Sequence, residues 1–345
     1  MTPSTQWQER VADDETARFN KLAATLTNIQ RSRAESHPMG RALHYKAHGG
    51  LLATFTVKPD LPEWCQVGIF ARAGTYPAYA RFSSGSGAPQ PDTEPDIRGL
   101  AVKVVGVPGK KIFNPDAVTQ DFLGILTPSM PMSTPEEFVG LVSAVTGNKL
   151  LTLPRLLMLF GLRSAKVLGT LRAGLAQKTD SLTAPTFYSA LPIKWGEHAI
   201  KYSFLAIDPP VAKTLTDAHG YRHDLHSHLE GRSLRFAFRI QGFVQEDKTP
   251  IEDSTIEWLP EIAPWVTVGE LELHPQASTQ DNKEGLAAFV ESMVFDPWHA
   301  PEAFRPLGAM QRARSSAYRD SSLTRNAAPE PDGTEGWHDA PPASS

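Results

Sequence analysis

The sequence has one cysteine, no strong charge imbalance and no apolar run long enough to cross a bilayer. Cys65 has no partner for an internal disulfide. A net charge of −4 and an isoelectric point near 6.3 supply no basic field, which excludes nucleic acid as an expected partner. The longest apolar run, 150–162, is interrupted by Pro154 and Arg155 and is shorter than the roughly 20 residues of a spanning helix. Without a signal-like N-terminus, a cytoplasmic location is the default expectation.

Short apolar segments in series predict an α+β protein built on an antiparallel β-barrel or sandwich rather than on βαβ units. Turns at Gly74 and Pro77 are expected to separate short pieces between Ile69 and Phe82. Apolar residues that alternate with polar or small ones give one buried face and favour strands. The clearest segments are Leu51–Val57, Arg98–Val105, Ile200–Ile207, Leu234–Ile240 and Val266–Leu273. The later strands are expected to complete one barrel.

Helical patterns flank these strands. A first helix is predicted after Asp13 or Asp14, whose side chains can cap it, with Phe19, Leu22, Ala23, Leu26 and Ile29 on its buried face. Thr134 starts a second helix as a hydroxyl cap, followed by proline and a reciprocal Glu137. Its predicted buried face consists of Phe138, Leu141, Val142 and Val145. Two further helices are predicted within 285–295 and 306–324.

The domain boundaries follow from these patterns. We expect an N-terminal helical arm over 1–36, one domain over 37–325 and a disordered tail over 326–345, which has hardly any core-forming residues. The apolar run 150–162 leads into Arg163, Lys166 and Arg172. We interpret this region as helices packed on the barrel, with contact to a lipid or to a membrane surface as the alternative.

Two pairs of residues are candidates for a site. Arg41 and His44 precede the strand from Leu51, and because an unbroken strand would point them to opposite faces, a bend or bulge is required. A lone histidine here is more often a hydrogen-bonded structural residue than a catalytic one. Arg314 and Tyr318 are four apart and therefore share a helix face. A guanidinium beside a phenol favours the phenolate, which binds ferric iron; a surface arginine lying along the ring is the alternative.

Four motifs agree in order and spacing with those of one known family. They are Arg41-x-x-His44-x-Lys46-x-x-Gly49, Arg81-Phe82-Ser83, Asp96-x-Arg98-Gly99-x-Ala101-Val102-Lys103 and Arg314-x-x-x-Tyr318. Together, over residues 37 to 320, they resemble the haem-binding core of the catalase superfamily. The resemblance implies a catalase-type antiparallel β-barrel with flanking helices that enclose a buried haem b, iron protoporphyrin IX.

The resemblance also implies a role for each matching residue. His44 is similar to the distal histidine, and Ser83 to the serine that hydrogen-bonds its ring. Arg41 and Arg81 match arginines that pair with haem propionates, and Tyr318, beside Arg314, matches the axial ligand of the iron. Phe138 is similar to the aromatic residue packed on the porphyrin, and Asp96 to the carboxylate that lines the substrate channel. A neutral histidine can accept a proton from a bound peroxide and return it to the departing oxygen.

Several positions depart from the family pattern on the substrate side. Ile125 replaces the distal asparagine, Gly85 the valine that narrows the channel, Met130 a phenylalanine beside the haem, and Leu43 a small residue. A wider, less polar pocket favours an organic hydroperoxide or a reducing co-substrate over fast disproportionation of hydrogen peroxide. The predicted function is a haem peroxidase with some catalase activity, acting on hydrogen peroxide or organic hydroperoxides with an unknown electron donor.

Two alternatives keep the haem. One is a fatty acid hydroperoxide dehydratase or isomerase similar to allene oxide synthases, fed through 150–162; the other is a haem-binding or sensing protein with little turnover. The number of subunits stays open, with an oligomer among the options. A separate metal site is conceivable at His219, His223, His226 and His228 with Asp224, although a polar loop between strands explains the same residues.

Overall fold

The computed structural model describes residues 2–146, 149–175, 179–211, 215, 217–275 and 280–335. Its strands are β1 Ala47–Val57, β2 Gly74–Ser84, β3 Arg98–Val105, β4 Thr119–Ile125, β5 Phe187–Tyr188, β6 Ile193–Trp195, β7 His198–Ile207, β8 Leu234–Gly242 and β9 Val266–Leu273. Its helices are α1 Glu15–Arg33, α2 Pro135–Thr146, α3 Thr152–Phe160, α4 Ser164–Leu175, α5 Gly220–Leu229, α6 Gln280–Ser292 and α7 Ala309–Thr324. Within these ranges, no helix has both the length and the apolar character needed to cross a membrane.

The strands form a closed antiparallel barrel. They follow one another in the order β5-β4-β3-β2-β1-β9-β8-β7, and the short β5 pairs with both β4 and β7, which closes a ring of eight. The strand β6 pairs with β7 outside this ring. The predicted α+β barrel with flanking helices is therefore confirmed.

Apolar side chains fill the inside of the barrel. Alternate residues of β1, β2 and β3 point inward, among them Phe55, Phe82 and Val102. The ring of Phe238 on β8 lies 5.2 Å from that of Phe55 and 5.0 Å from that of Phe122. Because the interior is packed with rings, polar side chains of the same strands must lie on the outer face.

The outer face carries the polar residues of the predicted motifs. On β2, Arg81 and Ser83 alternate with the inward Phe82 and point outward with Tyr79, which packs beneath helix α6. Lys103 on β3 alternates with the inward Val102 in the same way. The helices α1 and α7 pack along each other, and α1 and α2 are also in contact. Any site on the outer face is therefore enclosed by α1, α2, α6 and α7 rather than by the barrel interior.

Most strand and helix predictions agree with the structure to within a few residues, but β2 does not. It runs without interruption from Gly74 to Ser84, so the predicted turn at Pro77 is wrong, whereas Gly74 lies where the strand begins. Pro77 pairs with Thr54 of β1, whereas the pairing of β2 with β3 begins only at Ala78. Proline is tolerated at Pro77 because one side of the strand is unpaired there.

Three helix predictions differ in detail. The helix α1 begins after Asp14 without a capping bond, because that carboxylate instead pairs with Arg18 at 3.2 Å. On α2, Thr134 Oγ1 does accept the N–H of Glu137 at 3.2 Å, but Val145 is half exposed rather than buried. The helices α3 and α4 pack against α2 and each other, around Leu141, Leu156, Phe160 and Val167, instead of directly on the barrel.

The C-terminal segment 327–335 also differs from the predicted disorder. Glu330 lies against the outer face of the barrel, where its carboxylate accepts hydrogen bonds from Lys103 at 2.6 Å and from Thr119 at 2.6 Å. The N–H of Ala328 donates to the carbonyl of Ser292 at the end of α6. These polar contacts hold a segment that has few apolar residues. Residues 336–345 lie outside the described part of the chain.

Candidate functional site

His44 lies in the loop before β1, in a backbone conformation that side chains other than glycine rarely adopt. Its φ of 54° is left-handed, so local strain must be offset by surrounding bonds. Its N–H donates to the carbonyl of Gly85 at 3.0 Å, and its own carbonyl accepts a bond from Arg81 at 2.9 Å. The bend that the Arg41 and His44 spacing requires is therefore present, and it continues into a register shift between Ala47 and Gly49.

The ring of His44 is held against the outer face of the barrel. Its Nδ1 lies 3.0 Å from Ser83 Oγ on β2. The ring also rests on Gly99 of β3, where an added Cβ would lie only 2.7 Å from His44 Cε1. Burial, with the charges of Arg81, Arg314 and Arg41, lowers the pKa of His44 to about 3. The imidazole is therefore neutral at physiological pH, with Nδ1 engaged and Nε2 left for another partner.

Three arginines converge beside this histidine. Arg41 and Arg81 both pair with the carboxylate of Glu291 on α6, Arg81 through its Nε at 2.7 Å. Arg325, just after α7, donates to the carbonyl of Met293 at 2.6 Å, and its charge also acts on the carboxylate of Glu291. Burial raises the pKa of Glu291, but Arg81 and Arg41 outweigh it and hold this pKa below its usual value. Among the described residues, two guanidinium groups thus pair with one carboxylate, and the charge of a third acts on it.

Arg314 and Tyr318 face each other on α7. Arg314 Nη2 donates to the phenol oxygen at 2.6 Å, and its guanidinium lies 4.9 Å from the centre of the ring. Arg314 Nη1 is held by Gln311 at 3.0 Å. Burial disfavours the charge of Arg314, yet the oxygen of Tyr318 raises the pKa of this guanidinium above its usual value. The pair is therefore a partly buried contact between the guanidinium and the phenol oxygen, and it is not an exposed arginine lying along a ring.

The loop before β1 and the helix α7 come together at one place. The charges of Arg81, Arg314 and Arg41 all act on His44, and the phenol of Tyr318 acts on Arg41. Although α7 packs along α1, only Met310 and Gln311 of its residues are buried. Residues separated by about 270 positions in sequence therefore border the same partly accessible space, with Arg41, His44 and Arg81 on one side and Arg314 and Tyr318 on the other.

Asp96 and Gly85 lie directly behind His44. The carboxylate of Asp96 accepts hydrogen bonds from the N–H groups of Ser86 at 2.9 Å and of Ile97 at 2.8 Å, and from Gln90 at 3.0 Å. An added Cβ at Gly85 would lie 2.9 Å from the carbonyl of Ile97. The structure thus gives both residues a part in shaping the loop that holds the His44 backbone. Their place along a substrate channel stays a prediction.

The remaining predicted site residues, Ile125, Phe138 and Met130, are apolar. Ile125 ends β4 and pairs with Gly99, on which the His44 ring rests. Phe138 on α2 joins a cluster with Leu43 and Ala317, so it lies between the loop of His44 and the helix of Tyr318. Met130 packs with the α2–α4 cluster, and its N–H donates to the carbonyl of Ser254 at 2.8 Å. Met130 is therefore placed in the helical layer.

The histidine cluster after β7 is helical and not the polar loop that we considered. Tyr221, Leu225 and Leu229 are buried at a spacing of four residues, a pattern that identifies α5 in retrospect. His228 pairs with Asp224 at 3.3 Å, whereas the exposed His223 pairs with Asp217 at 3.5 Å. In the part of the chain that is described, no group of three or more such side chains could hold a metal ion.

The sequence reasoning missed Glu291 and Arg325. Arg325 follows Tyr318 by seven residues, which is two helical turns, so helix periodicity would have found it. Glu291 has no local signal, because only the packing of α6 on the barrel brings it to Arg81. A second polar group was also missed: the Lys103 cluster, made of Lys103, Asp121, Asp296, His299 and Glu330 on the outer face near β3 and β4.

With this geometry established, the architecture defines a class: the barrel and its helices have the catalase fold. A solved bacterial catalase aligns with a TM-score of 0.64 and 19% identity, over 94% of this chain and 63% of its own. Catalase A from Saccharomyces cerevisiae aligns with a TM-score of 0.62 and 16% identity, over 94% of this chain and 67% of its own. The chain therefore spans about two thirds of the length of these solved catalases.

Sequence comparison gives a more particular likeness. The chain is 28% identical, over 290 residues, to a catalase-related peroxidase from Mycolicibacterium paratuberculosis, which covers 80% of this chain and 85% of that relative. No protein-family model matches the chain. The resemblance to the catalase superfamily is confirmed by this relative together with the solved catalases.

Proposed function

We propose that the protein is a haem-dependent enzyme that cleaves peroxides, with peroxidase turnover exceeding catalase turnover. The observation that carries this proposal is the arrangement of Arg314 and Tyr318 across a partly accessible space from neutral His44. The names of the relatives support chemistry with peroxides in general. The preference for a peroxidase rests on this chain's own residues.

The residues present suit haem b. Haem carries two propionates, and three guanidinium groups around the single carboxylate of Glu291 leave an excess of positive charge for such anions. Arg41 and Arg81, with Arg325 beside them, would hold the propionates through charge-assisted hydrogen bonds. The phenol oxygen of Tyr318, which accepts a hydrogen bond from Arg314, would hold the haem iron. When bound, the haem iron supplies the redox centre at which a peroxide O–O bond is cleaved.

His44 would move the proton that this cleavage requires. When its Nδ1–H donates to Ser83 Oγ, Nε2 keeps a lone pair that can accept a proton from the hydroperoxide. The same nitrogen then returns the proton to the departing oxygen, which leaves as water or alcohol. The surrounding arginines and the buried setting keep the ring neutral for this purpose. The second oxygen atom of the peroxide is then released as water, which consumes two protons and two electrons from a donor whose identity is open.

The surroundings of His44 support a hydroperoxide with an organic group. Ile125 pairs with Gly99 beneath the His44 ring, so the neighbouring strand end presents an apolar side chain. Such a wall does not donate a hydrogen bond to hydrogen peroxide, but it can contact an alkyl chain. We therefore place organic hydroperoxides first among substrates and hydrogen peroxide second.

A comparison of substrates tests this function. Haem-loaded protein is given hydrogen peroxide alone, cumene hydroperoxide with a reducing dye, and a fatty acid hydroperoxide with the same dye. The proposal expects dye oxidation with the organic hydroperoxides to exceed oxygen release from hydrogen peroxide. Haem loading without turnover of any peroxide would refute the enzyme and leave a haem-binding protein.

The apolar neighbour of His44 also favours a second candidate, a fatty acid hydroperoxide dehydratase or isomerase. Such an enzyme rearranges its substrate without an external electron donor. Product analysis separates the two functions, because a peroxidase yields the corresponding alcohol and oxidised dye. A rearranged product that forms at the same rate without dye would identify the second candidate.

A further inference from the structure

The helix α3 and its flanks present an apolar surface to solvent. Leu150 and Met158 are 86% and 88% exposed, and Leu162 is fully exposed. We call this the α3 surface and define it as Leu150, Leu151, Leu153, Leu157, Met158, Leu162 and Arg155. Isolated exposed apolar residues are normal on proteins, but a group confined to one helix and its ends marks an interaction site.

Packing within the molecule does not explain this surface. The helix α3 buries Leu156 and Phe160, which contact Leu141 of α2 and Val167 of α4. Leu153 and Leu157 lie one turn apart beside these buried residues and are still more than half exposed, and Met158, farther round the helix, is almost fully exposed. Exposed apolar side chains therefore continue round α3 from its buried side, and they are available to another molecule.

Charge identifies the kind of partner. The sequence from 138 to 179 has six lysines and arginines and no acidic residue, which leaves 28 basic and 38 acidic residues in the rest of the chain. Arg155 is exposed within the surface, and no ion pair involves it among the described residues. Arg172 on α4 is exposed as well, whereas Arg163 pairs with Glu137 at 2.7 Å. A basic rim around aliphatic side chains matches the headgroups and acyl boundary of an anionic bilayer.

We propose that the α3 surface docks the protein onto membranes that contain anionic lipids. The helix lies flat in the interface, with Leu153, Leu157 and Met158 among the upper acyl carbons and Arg155 at the phosphates. With nine residues α3 is far too short to cross the bilayer, so the contact is peripheral and reversible. This inference rests on the surface alone and does not depend on haem or on peroxide chemistry.

A second copy of the chain fits this surface less well. A symmetric dimer would bring the same patch of both copies together and place Arg155 and Arg172 of one near those of the other. Like charges at an interface oppose association. An anionic bilayer has the opposite charge and offers an apolar layer of matching depth.

Sedimentation with vesicles tests the proposal. The full-length protein is mixed with vesicles of phosphatidylcholine alone or with 30% phosphatidylglycerol, at low and high salt. The variants are Met158→Glu and Arg155→Glu, with Val11→Glu as the matched control, since Val11 is a similarly exposed apolar residue on the N-terminal arm. Because all three positions are exposed, thermal unfolding should be unchanged, and this is checked first.

The expected result is binding to the anionic vesicles that weakens with salt and is much lower on phosphatidylcholine alone. Arg155→Glu should weaken it by about fivefold or more, since each basic residue near such a surface contributes about 1 kcal/mol. Met158→Glu should weaken it by about tenfold or more. Absence of wild-type binding, equal binding by Met158→Glu, or concentration-dependent self-association lost in Met158→Glu without vesicle binding would each overturn the proposal.

Discussion

Two polar regions lie on the outer face of the same barrel, and they differ in charge balance and access. In the Lys103 cluster, Lys103 is fully buried and bonds Asp121 at 2.7 Å and Glu330 at 2.6 Å, while His299 approaches Asp121 at 3.1 Å. In the candidate site, Arg41 and Arg81 pair with Glu291, the charge of Arg325 also acts on it, and Arg314 and Tyr318 are partly accessible.

The difference separates a structural use of charge from a functional one. The cluster around Lys103 contains partners of both signs and is closed to solvent, so it joins β3, β4 and the segment after α7. Among the described residues, the site around His44 has more cations than anions and is partly accessible, so it is suited to bind an anion. A buried charge is costly unless it is paired, which is why an excess of arginines indicates an anion-binding site.

The largest expected effect is on the rate of peroxide cleavage at the candidate site around His44. His44→Ala should lower the rate of organic hydroperoxide cleavage by about 10²- to 10⁴-fold, the usual contribution of a positioned acid–base group. Haem binding should persist, because no haem contact is assigned to this ring. Steady-state kinetics on haem-loaded protein measure the effect, with the exposed His223→Ala as the control. Unchanged cleavage would show that His44 moves no proton.

In the Lys103 cluster, a substitution should instead affect the stability of the fold. Lys103→Met removes the only lysine that pairs with Asp121 and Glu330 among the described residues and leaves their carboxylates buried. The free energy of unfolding should fall by about 3–5 kcal/mol. Urea unfolding checks this, with the exposed Lys58→Met expected to change stability by less than about 0.5 kcal/mol. A loss as small as that of the control would remove the contrast between the regions.

Substitution of an arginine in the candidate site should affect haem binding more than folding stability. Arg81→Met should weaken haem affinity by about tenfold to a hundredfold, because hydrogen bonds to charged groups contribute about 1.5–3 kcal/mol. Its loss of stability without haem should be smaller than that of Lys103→Met. Haem titration followed by absorption gives the affinity, and Arg155→Met, far from the site, is the control. Equal affinities of Arg81→Met and wild type would contradict the anion-binding role.

The two regions should also respond to acid with opposite signs. The pKa of His44 is lowered to about 3, so below pH 6.5 the unfolded chain takes up the proton first and folded stability falls. Burial raises the pKa of Asp296 to about 6, so from pH 6 to pH 4 the folded chain takes up the proton first and stability rises. On acidification, the urea midpoint of His44→Gln should fall less than that of wild type. The urea midpoint of Asp296→Asn should fall more than that of wild type. The same sign for both variants would reject this assignment.

Local sequence patterns predicted much of the fold and the Arg314–Tyr318 pair of the site. The alternation in Val266–Leu273 and Arg98–Val105 defined those strands to the residue, because one face of each is buried. A single barrel was predicted, but the strand that closes it was not, because closure depends on the two-residue strand β5. The pairing of Arg314 with Tyr318 followed from helix spacing, whereas Glu291 and the cluster around Lys103 depend on contacts between distant segments.

Pro77 and Glu330 show where local rules fail. Proline usually ends a strand, but Pro77 lies in the part of β2 that pairs on one side only. A segment of polar and small residues usually stays disordered, but Glu330 is held by Lys103, which is buried elsewhere in the fold. In both cases a tertiary partner decides the outcome, and the local sequence does not contain it.

The central claim is that the candidate site binds haem and that Tyr318 is a ligand of its iron. Absorption and electron paramagnetic resonance spectra of ferric haem titrated into the wild type, Tyr318→Phe and the control Tyr76→Phe test it directly. We expect the wild type and Tyr76→Phe to bind haem with the signature of high-spin iron ligated by phenolate, and Tyr318→Phe to lose that signature. The same phenolate spectrum in Tyr318→Phe, or no haem binding by the wild type, would contradict the account.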